Sequence, residues 1–418
     1  MGTLSQPINE ISQDNGLHVS GRDARSELDS SRSRDVNKGG NKTIITSRNH
    51  VHVHHLVRGA LEQALKESEP VEEGTPTVAG YDFNQGVNYT KLFQTLPTMG
   101  FQASHLGQAI EAMNAMIDCR MKPVPAAEAE QTTLPCGRRR TNCTIMLGYT
   151  SNMVSSGNRE IIRYLAQHNM IDCIVSTAGG IEEDFMKCFS SFYMGDFKLK
   201  GAELFEKSHN RTGNLLVPNT TYCKFHSWLN PILDTMVEEQ KQGAEWTPSK
   251  LIWRMGKEIN NPESIYYWAY KNQIPVFSPA ITDGAIGDVL FFHRHLHPGN
   301  SVKLDIVADV QTINDLALFS VNTGVLILGG GVIKHHILNA NIFRYGTDYC
   351  VYVNTGNEFD GSDAGASPEE AISWGKIKLT CKPVKVYAEA TVILPILVGE
   401  TFAKRQAEFT AFNFCHSF

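Results

Sequence analysis

Six short apolar runs separated by loops of small and acidic residues, with stretches of helical spacing among them, most constrain how this 418-residue chain can fold. The runs cover residues 143–149, 171–177, 274–279, 325–328, 349–354 and, more weakly, 384–388. Helical spacing covers 104–117, 159–167, 263–271, 306–319 and 368–376. A strand that is apolar at nearly every position must be covered on both faces, and strands alternating with helices form a parallel sheet. The expected class is therefore α/β, a mostly parallel sheet with helices on both faces.

The flanks read differently. Residues 1–48 are rich in Ser, Asp, Asn, Arg and Gly, so burial cannot offset the entropy of ordering, and a disordered tail is expected. Residues 49–80 hold a short amphipathic helix, 51–67, with Leu56, Ala60, Leu61 and Leu65 at helical spacing, and a linker, 68–78, rich in Glu, Pro and Thr. One domain is expected over 81–418, with a long polar loop at 123–140.

Hydrophobic residues make up 42% and charged residues 20%, as in a soluble globular chain that can bury a large core. A net charge of -6 lacks the basic footprint of a nucleic-acid binder. No run is long enough to span a membrane, and the N-terminus has no signal-peptide core. Gln6 does not fit a myristoylation motif. Nine cysteines without a C-x-x-C pair read as free thiols of a reducing compartment, and the cytoplasm is expected.

In an open parallel sheet, ligands bind outside the carboxyl ends of the strands. The residues there are 150–157 (Thr-Ser-Asn-Met-Val-Ser-Ser-Gly), 177–184 (Thr-Ala-Gly-Gly-Ile-Glu-Glu-Asp), 282–288, 329–336 (Gly-Gly-Gly-Val-Ile-Lys-His-His) and 355–363. Small residues at a helix start let backbone approach a pyrophosphate. Carboxylates at 182, 183, 184, 283, 288, 360 and 363 would repel phosphate but would pair with the ammonium groups of a polyamine. Gly-rich turns after strands are common, and G-x-G-x-x-G is missing, so spacing alone leaves the dinucleotide open.

Lys376 closes the helix-like segment 369–376 beside Trp374, where burial against an aromatic ring would favour a neutral, nucleophilic amine. A solvated lysine near a helix C-terminus is the bland alternative. His335 and His336 read as one surface and one core histidine. The cluster His50, His52, His54 and His55 and the run His293, His295 and His297 lack companion cysteines or clear carboxylates, so no metal is expected.

The segments 148–152, 177–184, 213–219, 256–264, 329–336, 358–363 and 373–376 closely resemble deoxyhypusine synthases, and the likeness covers roughly 81–409. The resemblance implies a Rossmann-like fold. It also implies NAD-dependent transfer of the 4-aminobutyl group of spermidine to one lysine of the translation initiation factor 5A precursor. By resemblance, NAD contacts Ser151, Asn152, Met153, Val154, Ser155, Thr177, Ala178, Gly179, Glu183, Asp283, Thr355, Gly356, Glu389 and Ala390. Spermidine lies against Glu182, Glu183, Asp288, His335, Gly361, Ser362, Asp363, Glu370 and Trp374. Lys376 forms the covalent imine, and His335 moves or positions a proton.

The resemblance further implies a homotetramer with sites at a dimer interface and a tethered N-terminal helix. Glu389 departs from the family, which has Asp there, so the ribose contact would shift by a methylene. Three rivals remain at this stage. A homospermidine synthase would deliver the same group to putrescine. A regulatory paralogue would lack the lysine or the NAD loops, which are present here. A plain dehydrogenase would need no nucleophilic lysine.

Overall fold

In a computed structural model, residues 44–414 are described, so most of the expected tail lies outside them. The chain divides into two units at Thr75/Pro76. Among its described residues the first unit carries one helix, Ile44–Ala64, which begins inside the segment expected to be disordered. Once a helix is nucleated, each added residue gains one hydrogen bond, so it extends N-terminally beyond the amphipathic stretch. On this helix Leu56, Val57 and Leu61 are exposed.

The second unit is built on nine strands: β1 (Thr144–Tyr149), β2 (Cys173–Ser176), β3 (Tyr193–Met194), β4 (His209–Thr212), β5 (Leu215–Pro218), β6 (Val276–Phe277), β7 (Thr323–Leu328), β8 (Tyr349–Asn354) and β9 (Val384–Tyr387). Six form a parallel sheet in the order β6-β2-β1-β7-β8-β9. Counting only these six along the chain gives 3-2-1-4-5-6, the doubly wound order whose switch point lies between β1 and β7. The other three make a small antiparallel sheet, β3-β5-β4, which the apolar runs did not announce. Its strands run two to four residues, with two of the three largely exposed, so they are too short to carry a periodic pattern to read.

Side chains alternate across the parallel strands into two cores. Ile145, Leu147, Leu326, Val351 and Val353 enter one, packed by the helices Phe101–Met121, Arg159–Gln167, Ala178–Phe189 and Ala390–Val398. Met146, Val325, Ile327, Cys350 and Tyr352 enter the other, against Ile306–Leu318 and Val332–Ile342. Coverage of both faces is what the unbroken apolar runs required.

The polar stretch 123–140 is a loop, as expected, but Arg138 and Arg140 at its end are anchored. Buried Arg138 bonds Asp172 at 3.0 Å, the Asn272 carbonyl at 2.6 Å and the Ile171 carbonyl at 2.8 Å. Arg140 donates to the carbonyls of Phe319 and Glu128 at 2.8 Å each. The segment 368–376 is shorter as a helix than its spacing suggested. It runs Pro368–Ser373 and stops, because Gly375 takes a positive φ of 69° that helices do not use.

Candidate active site

The strand-end loops converge at the carboxyl edge of the sheet, and three lysines pin them from beneath. Lys187 donates to the carbonyls of Val154 and Ser155 at 2.6 Å and of Ser156 at 3.0 Å. Lys334 donates to the carbonyls of Asp363 and Ala366 and lies 4.9 Å from the Tyr352 ring. Lys385 donates to the carbonyls of Gly356 and Gly365 at 2.9 and 2.6 Å. Burial lowers the pKa of all three, that of Lys187 to about 8. Sequence reading missed their role. The one available signal was a lysine inside an apolar strand, Val384-Lys-Val386.

Around the switch point, Ser151 stands at the start of the short helix Asn152–Ser155. Ser155 hydrogen-bonds Glu183 across the gap. Met153 and Val154 turn fully into the core, and their N–H groups bond the carbonyls of Thr150 and Ser151 at 3.1 and 2.8 Å. They brace this loop, so contact with a ligand at these two positions falls to their backbone. Ala178 and Ala390 are also buried. Thr177 precedes the twelve-residue helix Ala178–Phe189, and its buried Oγ1 has no partner among the described residues. An orphaned hydroxyl at a helix N-terminus, one strand away from a doubly wound switch point, fits a dinucleotide phosphate.

Glu389 follows β9 at the same edge of the sheet. It caps the helix Ala390–Val398, accepting from Thr391 N at 3.1 Å and from the Thr391 hydroxyl. Thr355 and Asn152 are exposed at the same edge, and Gly356 is half-buried there.

Two acidic groups form, one on each side of the switch point. On the β2–β6 side, Glu182 accepts from Ile286 N at 2.8 Å, which ties it to the helix Ala285–Leu296 that carries Asp288. Burial raises its pKa, backbone hydrogen bonds oppose this, and Asp288 and Asp283 raise it further, so these carboxylates share one field. Burial lifts Glu183 from an ordinary 4.5 to about 7. Asp184, the third acid of the motif, is wholly buried and structural. On the β7–β8 side, His335 Nδ1 lies 3.6 Å from Asp363. The second oxygen of Asp363 is buried and unpaired among the described residues. Ser362 and Gly361 sit in the exposed turn before Asp363, and Glu370 is exposed on the helix Pro368–Ser373. His336 is the more buried histidine of the pair.

Gly330 holds the two halves of this second group in contact. A Cβ there would fall 2.4 Å from Ala364 Cα, a backbone atom that cannot rotate away. Gly330→Ala will therefore fold but displace the loop bearing Asp363. A shift of about 1 Å in a binding group can cost up to ~10²-fold, and steady-state kinetics should show the substrate KM raised by at least ~tenfold.

Lys376 does not join the strand-end loops of its own chain. Its carbonyl accepts from Thr347 N at 3.0 Å, just ahead of β8 and so at the amino end of the sheet. The six residues of β8 place about 20 Å between that edge and the loops. Its side chain is mostly buried, with Nζ 5.7 Å from the ring centroid of Trp374, itself exposed. Nζ makes no hydrogen bond or ion pair among the described residues. From His335 and Asp363 through Glu370 to Trp374 and Lys376, the expected substrate residues thus descend one face of the sheet.

The family model for deoxyhypusine synthase matches residues 91–401. The chain belongs to the deoxyhypusine synthase family. It is accordingly a transferase, with the aminobutyl transfer that defines the deoxyhypusine synthases. It is 57% identical to a Drosophila melanogaster protein named a probable deoxyhypusine synthase, over 83% of this chain and 94% of that one. It is 50% identical to homospermidine synthase 2 of Senecio vernalis, over 85% and 97%. The solved structure described as a deoxyhypusine synthase from Entamoeba histolytica superposes with a TM-score of 0.58 at 35% identity, covering 78% of this chain and 97% of that one. Among the described residues no helix is long and apolar enough to cross a membrane.

Proposed function

We propose that this chain, in the cytoplasm and as a homotetramer of two dimers, transfers the aminobutyl group of spermidine to the factor 5A precursor at sites shared between two copies. The observation that carries the reading is the separation within one chain. The dinucleotide loops and the Glu182–Glu183–Asp288 group lie at the carboxyl edge, whereas Lys376 lies at the amino edge. A second copy that lays its His335-to-Lys376 face across the loops brings both halves to one spermidine.

NAD would be held at Ser151, Ser155, Thr177, Gly179, Asp283, Thr355 and Gly356, and would supply hydride-acceptor and hydride-donor chemistry there. The chain's own groups do the rest. Carboxylates at 182, 183, 288, 363 and 370 hold the ammonium ends of spermidine. His335, oriented by Asp363, takes and returns a proton at the reacting amine. Lys376 Nζ attacks the substrate-derived imine, releases diaminopropane, and holds the aminobutyl group until the acceptor lysine displaces it. Trp374 walls this step from water, which would hydrolyse an imine.

Glu183 makes the binding depend on pH. Its folded pKa lies above its unfolded value, so the fold favours the protonated form. That stabilisation, about 3 kcal/mol, is complete below pH 4.5 and lost as pH rises through about 7. The ionised form that pairs with ammonium fills over the same rise. The KM for spermidine is expected to fall about tenfold between pH 6 and 8. In Glu183→Gln it should stay high and flat, and a slope retained in that variant would remove Glu183 from the role.

The 50% identity to a homospermidine synthase keeps putrescine as a second acceptor. Spermidine labelled in the aminobutyl moiety, given with NAD and either acceptor, decides between them. Label on the precursor lysine supports the proposal, and label only in homospermidine transfers the chain to the other activity. Transfer to neither would mean that the chain works as a subunit of another enzyme.

A further inference from the structure

The helix Ala285–Leu296 carries Asp288 at its start and His293 and His295 at its other end, with His297 as its C-cap. The sequence offers those histidines no carboxylate, but the fold does. Asp234, on the helix Asn219–Lys241 packed alongside, comes 3.1 Å from Nε2 of His293. His297 stands one turn beyond His293, its ring 4.6 Å from that of His293. One ligand atom from each of Asp234, His293 and His297 can be chosen so that all lie within 4.8 Å of one another.

We propose that Asp234, His293 and His297 form a binding site for a borderline divalent cation, Zn2+ or Co2+, that clamps these two helices together. Two imidazoles and one carboxylate suit such an ion, whereas Ca2+ and Mg2+ prefer all-oxygen sets. Ligand atoms around a tetrahedral ion stand about 3.3 Å apart at bond lengths of about 2.0 Å, a span that small rotations reach from the present separations. His297 is also prepared as a ligand. Its Nδ1 lies 3.0 Å from the His293 carbonyl, which can only accept, so Nδ1 bears the proton and Nε2 the lone pair. A ring N–H donated to a backbone carbonyl is the usual outer support of a metal-bound histidine. His293 is buried, whereas Asp234 and His297 are exposed, so the ion would be reachable from solvent and complete its shell with water. His295, between them in sequence, stacks instead near Phe291 at 6.1 Å. The clamp would hold the far end of the helix whose start is tied to Glu182.

The untagged full-length protein, stripped with a chelator, should be titrated with Co2+ and followed by its visible d–d absorption, and with Zn2+ by thermal melting. One Co2+ per chain and a rise of about 2–4 °C with Zn2+ are expected. His297→Ala, an exposed change that leaves the fold intact, should weaken binding by at least ~10–100-fold, and Asp234→Asn should do likewise. Binding undiminished in His297→Ala would place the ion on the N-terminal histidines and overturn the site, as would the lack of a saturable Co2+ spectrum in the parent protein.

Discussion

Lys376→Arg is expected to fold as the parent does and to lose aminobutyl transfer by on the order of 10³-fold or more. The substitution keeps the positive charge and most of the aliphatic stem beside Trp374. It removes the one property the reaction needs, since a guanidinium does not become neutral in a protein and cannot attack an imine. Little structural cost should accompany it, because the ammonium of Lys376 has no hydrogen-bond partner to lose among the described residues. Transfer of label to the acceptor and borohydride trapping of a substrate adduct on the enzyme should both vanish, while circular dichroism and melting stay unchanged. Transfer within tenfold of the parent would remove Lys376 as the nucleophile.

Asp184→Ala should have the largest effect on stability, although it lies next to the two carboxylates proposed to bind spermidine. Asp184 is fully buried and accepts from Arg159 Nε at 2.7 Å, Ser264 Oγ at 2.5 Å and Ile265 N at 3.1 Å. It joins the helix Ala178–Phe189 to Arg159–Gln167 and to the start of Ile265–Lys271. Removing it strands a buried guanidinium, at a cost of about 3–5 kcal/mol. The melting temperature should fall on the order of 5–10 °C. Pairing Asp184→Leu with Arg159→Met should recover much of the loss, because the cost arises from the uncompensated charge. Glu183→Gln, one residue away, should melt no lower than the parent at pH 8 and affect only spermidine binding. That contrast separates the structural acid from the binding acids of a single motif.

The parallel sheet was legible because its strands are apolar at nearly every position, and only burial on both faces explains that pattern. The clustering of Glu182, Asp283 and Asp288 was legible as well, since strand ends share one edge. The antiparallel sheet and the three lysines beneath the loops were not. Short exposed strands leave no periodic signal, and a lysine bonded to carbonyls looks in sequence like any solvated lysine. Nor was it legible that the side chains of Met153 and Val154, inside a loop that reads as ligand-binding, belong to the core.

By itself, then, the sequence determined the fold class and the acidic, small-residue loops at the strand ends, because these rest on residue type and local spacing, whereas the role proposed for Lys376 came from the family resemblance. Only the tertiary structure decided which acid of Glu182, Glu183 and Asp184 is structural, and that Asp234 meets His293 across 59 residues. It also decided that Lys376 stands at the amino edge of the sheet, away from the loops of its own chain. Those outcomes depend on which helices pack together and on where a chain turns back, and long-range packing leaves no mark in local sequence.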